Sequence, residues 1–172
     1  MAELIPPPAL IGVLINMKQT GAEDMVGDME DTARANNRRI AIQTASADHE
    51  IDAAFTAFEK SGASGLVVMS DPFFNSRRDH IVRLAAQHAI PSIYEWREFA
   101  DAGGLIGYGP SLTHCWRQVG TYAARVLSGA KPGDLPVLRP TQLELVVNLK
   151  TARALRLTIP PAILGRADDV ID

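Results

Sequence analysis

The sequence lacks several features that mark common classes of protein. Its 172 residues contain one cysteine, Cys115, so no disulfide can form within the chain. No apolar run approaches the roughly 18 residues that a membrane-spanning helix needs. Residues 1–10 show neither the basic start nor the long apolar stretch of a secretory signal peptide. The sequence therefore predicts no disulfide framework, no membrane span and no export signal.

The chain also has little net charge. The chain has 17 basic and 20 acidic residues, a formal net charge of −3, and no basic cluster that would attract nucleic acid. Hydrophobic residues make up 47% and charged residues 22%, close to the values for globular proteins. The composition thus predicts one domain or lobe with a buried core and no nucleic-acid partner.

Motifs of catalysis and of cofactor or metal binding are missing as well. No Gly-x-Ser-x-Gly elbow occurs, and the histidines show no metal-ligand spacing beside an acid or cysteine. The glycines of the 103–109 segment do not follow GxGxxG, and we expect them to allow bending or close backbone approach. A phospho-acceptor role for Asp71 would need an acidic pair after the first strand, where Asn16 and Met17 stand. We therefore predict no enzyme activity, no cofactor and no metal.

Short apolar runs alternate with helical patterns in the first hundred residues. The runs, typical of buried parallel strands, cover residues 9–15, 39–44, 66–69 and 90–93. Amphipathic helical patterns separate them, over residues 21–37, 48–62 and 76–88. This alternation predicts an α/β fold with a parallel sheet, right-handed crossovers and helices on both faces.

The later part of the chain has a different character. A glycine-rich strand is predicted within residues 103–110 and an amphipathic helix over 112–127. Residues 131–142 form a proline-rich connector, and a further strand, 143–148, precedes short helices.

Polar loops follow the predicted strands at one edge of the sheet. In open parallel α/β sheets, ligands bind beyond the carboxyl ends of the strands, near helix N-termini. That rule selects residues 16–23, 70–76, 94–97 and 110–111. These loops are the candidate binding region.

Asp71 is the most informative residue of these loops, and it allows two interpretations. Its carboxylate could receive the ammonium group of a ligand, or it could cap the helix that follows the Asp-Pro turn. Glu95 is similarly a solvated loop acid or a second polar contact. The aromatic residues near the strand ends either line an apolar slot or belong to the core: Phe73, Tyr94, Trp96 and Tyr108.

Several segments resemble the ABC-transporter substrate-binding protein family that includes tryptophan- and tyrosine-type binding proteins. They are LVVMSDPFF (66–74), IPSIYEWREFADAGGLIGYGP (90–110), VLSGAKPGDLPV (126–137), LVVNLKTA (145–152) and LTIPP (157–161). The resemblance runs from about residue 10 to the C-terminus. It implies a periplasmic-binding-protein-like lobe, flavodoxin-like in its three-layer αβα arrangement.

Members of this family are two-lobed, periplasmic or lipid-anchored, and about twice this length. The resemblance implies that residues 9–94 with 143–172 form the second, ligand-binding lobe. Residues 103–130 would supply a crossover strand and helix that belong to the other lobe, joined by the 131–142 connector. A chain that began here without an export signal would instead be cytoplasmic.

The resemblance implies that a small solute such as an amino acid binds this lobe, with an ABC permease as partner of a full-length protein. The candidate ligand-binding residues are Asn16, Gln19, Thr20, Asp71, Pro72, Phe73, Tyr94, Glu95 and Tyr108. Without a first lobe, the 105–127 segment would expose an apolar face that includes Trp116 and Val119, which predicts a homo-oligomer. The alternatives are a stand-alone α/β ligand sensor or dimeric interaction module and, third, a flavin- or nucleotide-binding enzyme.

Overall fold

Helices and strands alternate along the chain, as the hydrophobic pattern predicts. The computed structural model describes residues 4–5 and 8–172. The elements are β1 (Leu10–Ile15), α1 (Ala22–Ala35), β2 (Arg39–Thr44), α2 (Asp48–Ser61), β3 (Ala63–Val68), α3 (Pro72–Ser76), α4 (Arg78–Gln87), β4 (Ser92–Tyr94), α5 (Arg97–Asp101), β5 (Ile106–Pro110), α6 (Leu112–Leu127), β6 (Leu143–Asn148), α7 (Leu149–Ala154), α8 (Pro161–Leu164) and β7 (Asp169–Ile171).

The seven strands of the described residues form one sheet in the order β2–β1–β3–β4–β5–β6–β7. Neighbouring strands from β2 to β5 are parallel, whereas β6 is antiparallel to β5 and parallel to β7. The chain moves from β1 to one side for β2 and to the other side for β3, so right-handed crossovers put α1 and α2 on opposite faces. The predicted α/β class with a mainly parallel sheet is confirmed.

The larger core lies between the sheet and helices α2 and α4. Leu14 and Leu66 project from the sheet into this core and pack with Phe55 and Phe58 of α2. The two phenylalanine rings are fully buried and meet edge to face, with centroids 6.2 Å apart. Gly12 faces Phe58, and a Cβ at position 12 would come within 2.8 Å of the ring. The small residue in β1 therefore sets how closely α2 packs on the sheet.

A second core lies where β5 and β6 meet α7, α8 and the segment between these two helices. It contains Leu105, Ile106, Val147, Ala152, Ile159 and Ile163. Asn148 ends β6 and caps α7 by accepting a hydrogen bond from the backbone N–H of Thr151 at 2.9 Å. The C-terminal part of the chain is thus built onto the same sheet as the first hundred residues.

Strand β5 is an inner strand of this sheet, and this position bears on the lobe to which residues 103–130 were assigned. Ile106 pairs with Ile93 of β4 on one side and with Val147 of β6 on the other. Residues 103–130 were predicted to belong to another lobe, and the strand of that segment has its backbone hydrogen bonds within this sheet. For helix α6 the assignment stays a prediction. That helix has no buried residue among its 16.

The pattern did not predict two short elements, α3 and β7. Helix α3 has five residues, and Asp71 caps it with its carboxylate. Strand β7 has three residues and lies at the edge of the sheet beside β6. Both are too short for hydrophobic periodicity to reveal them.

Part of the N-terminal segment searched for a signal peptide lies outside the described residues, namely residues 1–3 and 6–7. Within the described ranges, no helix combines the length and the apolar character that crossing a membrane requires.

Candidate functional site

Asn16 and Asp71 meet at the carboxyl edge of the sheet, directly after β1 and β3. The side-chain Nδ2 of Asn16 donates to Oδ2 of Asp71 at 3.2 Å, and both residues are buried. Oδ1 of Asn16 accepts from the backbone N–H of Lys18 at 3.0 Å, which fixes the turn after β1. The two loops that the sequence pattern selected are therefore joined through one side-chain pair.

The Asp71 carboxylate is fully used by the protein itself. Its Oδ1 accepts from the backbone N–H groups of Phe73 at 2.8 Å and Phe74 at 3.3 Å. With the Gln19 amide nitrogen facing Asp71, that nitrogen donates to Oδ2 at 3.1 Å and to the Ser70 carbonyl oxygen at 2.7 Å. Of the two interpretations of Asp71, helix capping is the one that the geometry supports.

The remaining residues of these two loops lie around the Asn16–Asp71 pair. Gln19 is half-buried, whereas Thr20 is exposed immediately before Gly21, which adopts a positive φ of 80° ahead of α1. Pro72 is exposed at the first position of α3, where proline is favoured. Phe73 is half-buried, so one side of its ring is available at the edge.

Arg77 contacts both an acid of α2 and the ring of Phe73. Arg77 at the end of α3 donates from Nε to Oδ1 of Asp48, at the start of α2, at 2.7 Å. The same guanidinium lies over the Phe73 ring, 5.5 Å from its centroid. The loops after β2 and β3 are thereby tied together.

The loop after β2 also reaches this edge, although it is not among the four predicted loops. Glu50 accepts from the backbone N–H of Ser46 at 2.6 Å and from the Ser46 hydroxyl at 3.0 Å. These bonds, helped by the nearby His49 and Lys18 charges, lower the pKa of Glu50. The rule about the carboxyl ends of strands applies equally to β2, so the signal for this loop was present in the sequence.

Glu95 lies directly after β4, and its carboxylate is available to a ligand. It is half-buried, and no residue in the described part of the chain forms a hydrogen bond or ion pair with it. Its side chain passes beside Gly109 of β5, where a Cβ would come within 2.6 Å of Glu95 Cγ. The close backbone approach expected of the glycine-rich strand is confirmed at this position.

The aromatic candidates separate into two groups. Tyr108 is half exposed on β5, and Trp96 is half-buried against the larger core. Tyr94 is buried and stacks on Phe99, with ring centroids 4.5 Å apart. The prediction that Tyr94 lines the site does not agree with this position, because its strand turns the side chain into the core.

Arg97, the last residue of the predicted β4 loop, is occupied by carboxylates. It forms ion pairs with Asp101 at 3.3 Å and Asp169 at 2.9 Å. The hydrogen bonds to Asp101 and then to Asp169 raise the pKa of Arg97. The residue therefore fastens α5 to β7 instead of facing a ligand. No group of three or more potential metal ligands occurs among the described residues.

Comparison with known proteins shows what the chain is similar to. A family model described as "ABC transporter substrate binding protein" matches residues 1–171. A tyrosine-binding protein of Clostridioides difficile is 26% identical over 152 residues, which are 88% of this chain and 44% of that protein.

Two solved structures share the fold. A conserved domain protein from Vibrio cholerae superposes with a TM-score of 0.89 at 24% identity, covering 98% of this chain and 57% of that one. An ABC domain from Streptococcus pneumoniae, in complex with L-Trp, gives a TM-score of 0.88 at 24% identity, covering 99% and 57%. The chain thus spans about half the length of these relatives.

Proposed function

Because the chain belongs to the family of ABC transporter substrate-binding proteins, we propose that it binds an amino acid at the carboxyl edge of β1, β3 and β4. The family consists of substrate-binding proteins and not of enzymes. An aromatic amino acid is the ligand class we favour, since one relative is a tyrosine-binding protein and one structural neighbour holds L-Trp.

The observation that carries the proposal is the available carboxylate of Glu95. An amino acid brings an ammonium group, and a half-buried carboxylate without a partner in the described chain is a suitable acceptor for it. Asp71 does not fill this role because four N–H groups already bond to its carboxylate oxygens. Instead, Asn16, Gln19 and Asp71 form a rigid floor for the site.

Other groups at the edge suit the rest of such a ligand. Tyr108, Phe73 and Trp96 present aromatic surface for an apolar side chain. Lys18 is exposed in the loop after β1 and offers a positive charge for the ligand carboxylate. Opposite charges at the two ends of the edge favour a zwitterion over a simple carboxylic acid.

We expect calorimetric titration to detect binding of L-tyrosine or L-tryptophan, and Glu95→Gln to weaken it by roughly ten- to a hundredfold. That range corresponds to the loss of a charge-assisted hydrogen bond of about 1.5–3 kcal/mol. Glu30→Gln is the matched control, because Glu30 is an exposed acid on α1 away from the edge. An unchanged affinity in Glu95→Gln, or no binding of any amino acid by the wild type, would contradict the proposal.

The division into lobes is also part of the proposal. Residues 9–94 and 143–172 form the ligand-binding lobe, and we now include β5 with them because it lies inside the same sheet. In a longer protein of this kind, helix α6 and the 131–142 connector would face the half of the relatives that this chain does not match. Transport through an ABC permease and a periplasmic location, both typical of the family, are the role proposed for the longer protein.

For this chain on its own, a second copy is the proposed cover for the apolar face of α6, the face that in the longer protein would contact the other half. Trp116 is 66% and Leu127 is 89% exposed. Leu127, Val119 and Val126 line a groove of about 780 Å³ between α6 and residues 132–138, and Trp116 lies outside that groove on α6. One hydrogen bond, from the Tyr122 hydroxyl to the Pro136 carbonyl oxygen at 2.6 Å, ties the connector to the helix. An apolar surface of this kind is unusual on a monomer.

We expect the isolated chain to be a dimer at micromolar concentration in sedimentation velocity, and Trp116→Asp to raise the dimer dissociation constant roughly thirtyfold. A charge in place of this exposed aromatic side chain removes apolar contact and must be desolvated in the dimer. Thr121→Asp is the matched control, because Thr121 lies on the opposite side of the same helix. A monodisperse wild-type monomer at these concentrations would contradict the dimer.

A further inference from the structure

A second cavity lies at the other edge of the sheet, at the amino ends of β4 and β5. It has a volume of about 540 Å³ and is enclosed by α4, the turn that joins α5 to β5, and α7. Ser92 and Leu105 mark its position, since they stand at the start of β4 and just before β5. Tyr94, the last residue of β4, also lines the cavity, whereas Glu95 and Asp71 do not.

Small apolar residues account for the open space. The wall that α4 and its C-terminal turn contribute consists largely of Ala85, Ala86 and Ala89, and α7 contributes Ala154 across from them. Methyl side chains cannot fill the gap between the two helices. A volume of this size lies within the roughly 300–1,000 Å³ range of small-molecule pockets.

Most polar side chains in the wall are satisfied by the protein. The Ser92 hydroxyl donates to the Ile90 carbonyl oxygen at 2.9 Å. Asn148 donates to the Ala100 carbonyl oxygen at 3.0 Å, and the Thr151 hydroxyl donates to the Gly103 carbonyl oxygen at 2.7 Å. These groups therefore hold the cavity in shape. The charged side chains that also line it, Asp101, Lys150 and Asp172, are exposed to solvent.

Tyr94 is the exception. Its side chain is 1% exposed and lines the cavity, yet its hydroxyl has no hydrogen-bond partner in the described part of the chain. Burial raises the pKa of this phenol, and an interaction with the neighbouring Ser92 side chain lowers it in part. The phenol therefore stays protonated at all ordinary pH values and is a donor. A buried donor without an acceptor is unfavourable, so an incoming acceptor gains affinity here.

We propose that this cavity is a second ligand site, which takes a small uncharged molecule with an apolar body and one hydrogen-bond acceptor, such as a ketone oxygen. The alanine walls receive the apolar body, and the Tyr94 hydroxyl donates to the acceptor. Glu95 and Asp71 do not line this cavity, so the two ligands would not compete for the same side chains.

Acetophenone is a suitable probe, and ethylbenzene is its matched partner without the carbonyl oxygen. In ¹H–¹⁵N spectra of the full chain we expect acetophenone to shift the amides of Gly103, Gly104 and Thr151 and to bind more tightly than ethylbenzene. Tyr94→Phe is expected to weaken acetophenone about five- to tenfold and to leave ethylbenzene unchanged, as the loss of one hydrogen bond predicts. Tyr122→Phe, a tyrosine outside the cavity, is expected to change neither affinity.

The melting temperature of Tyr94→Phe gives an independent readout. Removing an unpaired buried hydroxyl should leave the melting temperature equal to or above that of the wild type. A lower melting temperature, together with no amide shifts from either probe, would overturn the proposal and assign the hydroxyl to a buried water. Equal weakening of both probes by Tyr94→Phe would likewise overturn the role of the hydrogen bond.

Discussion

Replacing Gly104 with alanine is expected to lower the free energy of unfolding by about 3 kcal/mol, as measured by urea denaturation. A Cβ at this position would lie 2.6 Å from Cε2 of Tyr94 and 2.7 Å from the carbonyl oxygen of Phe99. Neither neighbour can yield easily. The Phe99 carbonyl accepts from the Gly104 N–H at 2.7 Å, and the Tyr94 ring is held by its stack on Phe99.

Gly27→Ala is the matched control for Gly104→Ala. Gly27 lies in α1 with no heavy atom within 4 Å of the added Cβ, so alanine there should stabilise the helix by up to about 1 kcal/mol. Opposite signs for the two substitutions would show that the close approach at Gly104, and not the loss of glycine as such, sets the cost. A Gly104→Ala protein as stable as the wild type would show that α5 can move away from β5 without penalty.

The sheet itself could be predicted from the sequence because its longer buried strands are continuous apolar runs. The run from Leu10 to Ile15 and the run from Leu66 to Val68 are apolar at every position except Gly12, as strands buried on both faces must be. Strand β7 could not be predicted, because its three residues follow a charged segment and are fixed only by pairing with β6. Pairing between strands depends on residues far apart in the sequence, so a local hydrophobic pattern does not reveal it.

The candidate site could be predicted in position but not in the role of each residue. The rule about carboxyl ends placed Asn16, Asp71 and Glu95 at one edge, and the structure has them there. Which carboxylate is free depends on how many N–H groups reach it, and Gln19 reaches Asp71 through a turn whose path the sequence does not specify.

Tyr94 illustrates the same limit. It shares its loop with Glu95, yet adjacent residues of a strand project to opposite faces, and the pairing of Tyr94 with Gly107 places it under α5. Knowing the register of β4 against β5 would have been enough to assign Tyr94 to the core.

Asp71→Ala is expected to lower the free energy of unfolding by about 3 kcal/mol, which corresponds to a fall of about 6–12 °C in melting temperature. The substitution removes the cap of α3, leaves Nδ2 of the buried Asn16 without its acceptor, and removes one of the two acceptors of the Gln19 amide. Asp28→Ala, an exposed acid on α1, is the control and should change stability by less than about 0.5 kcal/mol.

The affinity of Asp71→Ala for the amino acid, measured well below its melting temperature, separates a structural carboxylate from a binding one. If Asp71 only holds the floor of the site, the folded variant keeps its affinity within about threefold, whereas Glu95→Gln loses affinity while keeping wild-type stability. Asp71→Ala would then lose stability and Glu95→Gln would lose affinity. The reverse pattern, with full stability but no binding in Asp71→Ala, would mean that the ligand ammonium displaces the Asn16 and Gln19 donors and bonds Asp71 directly.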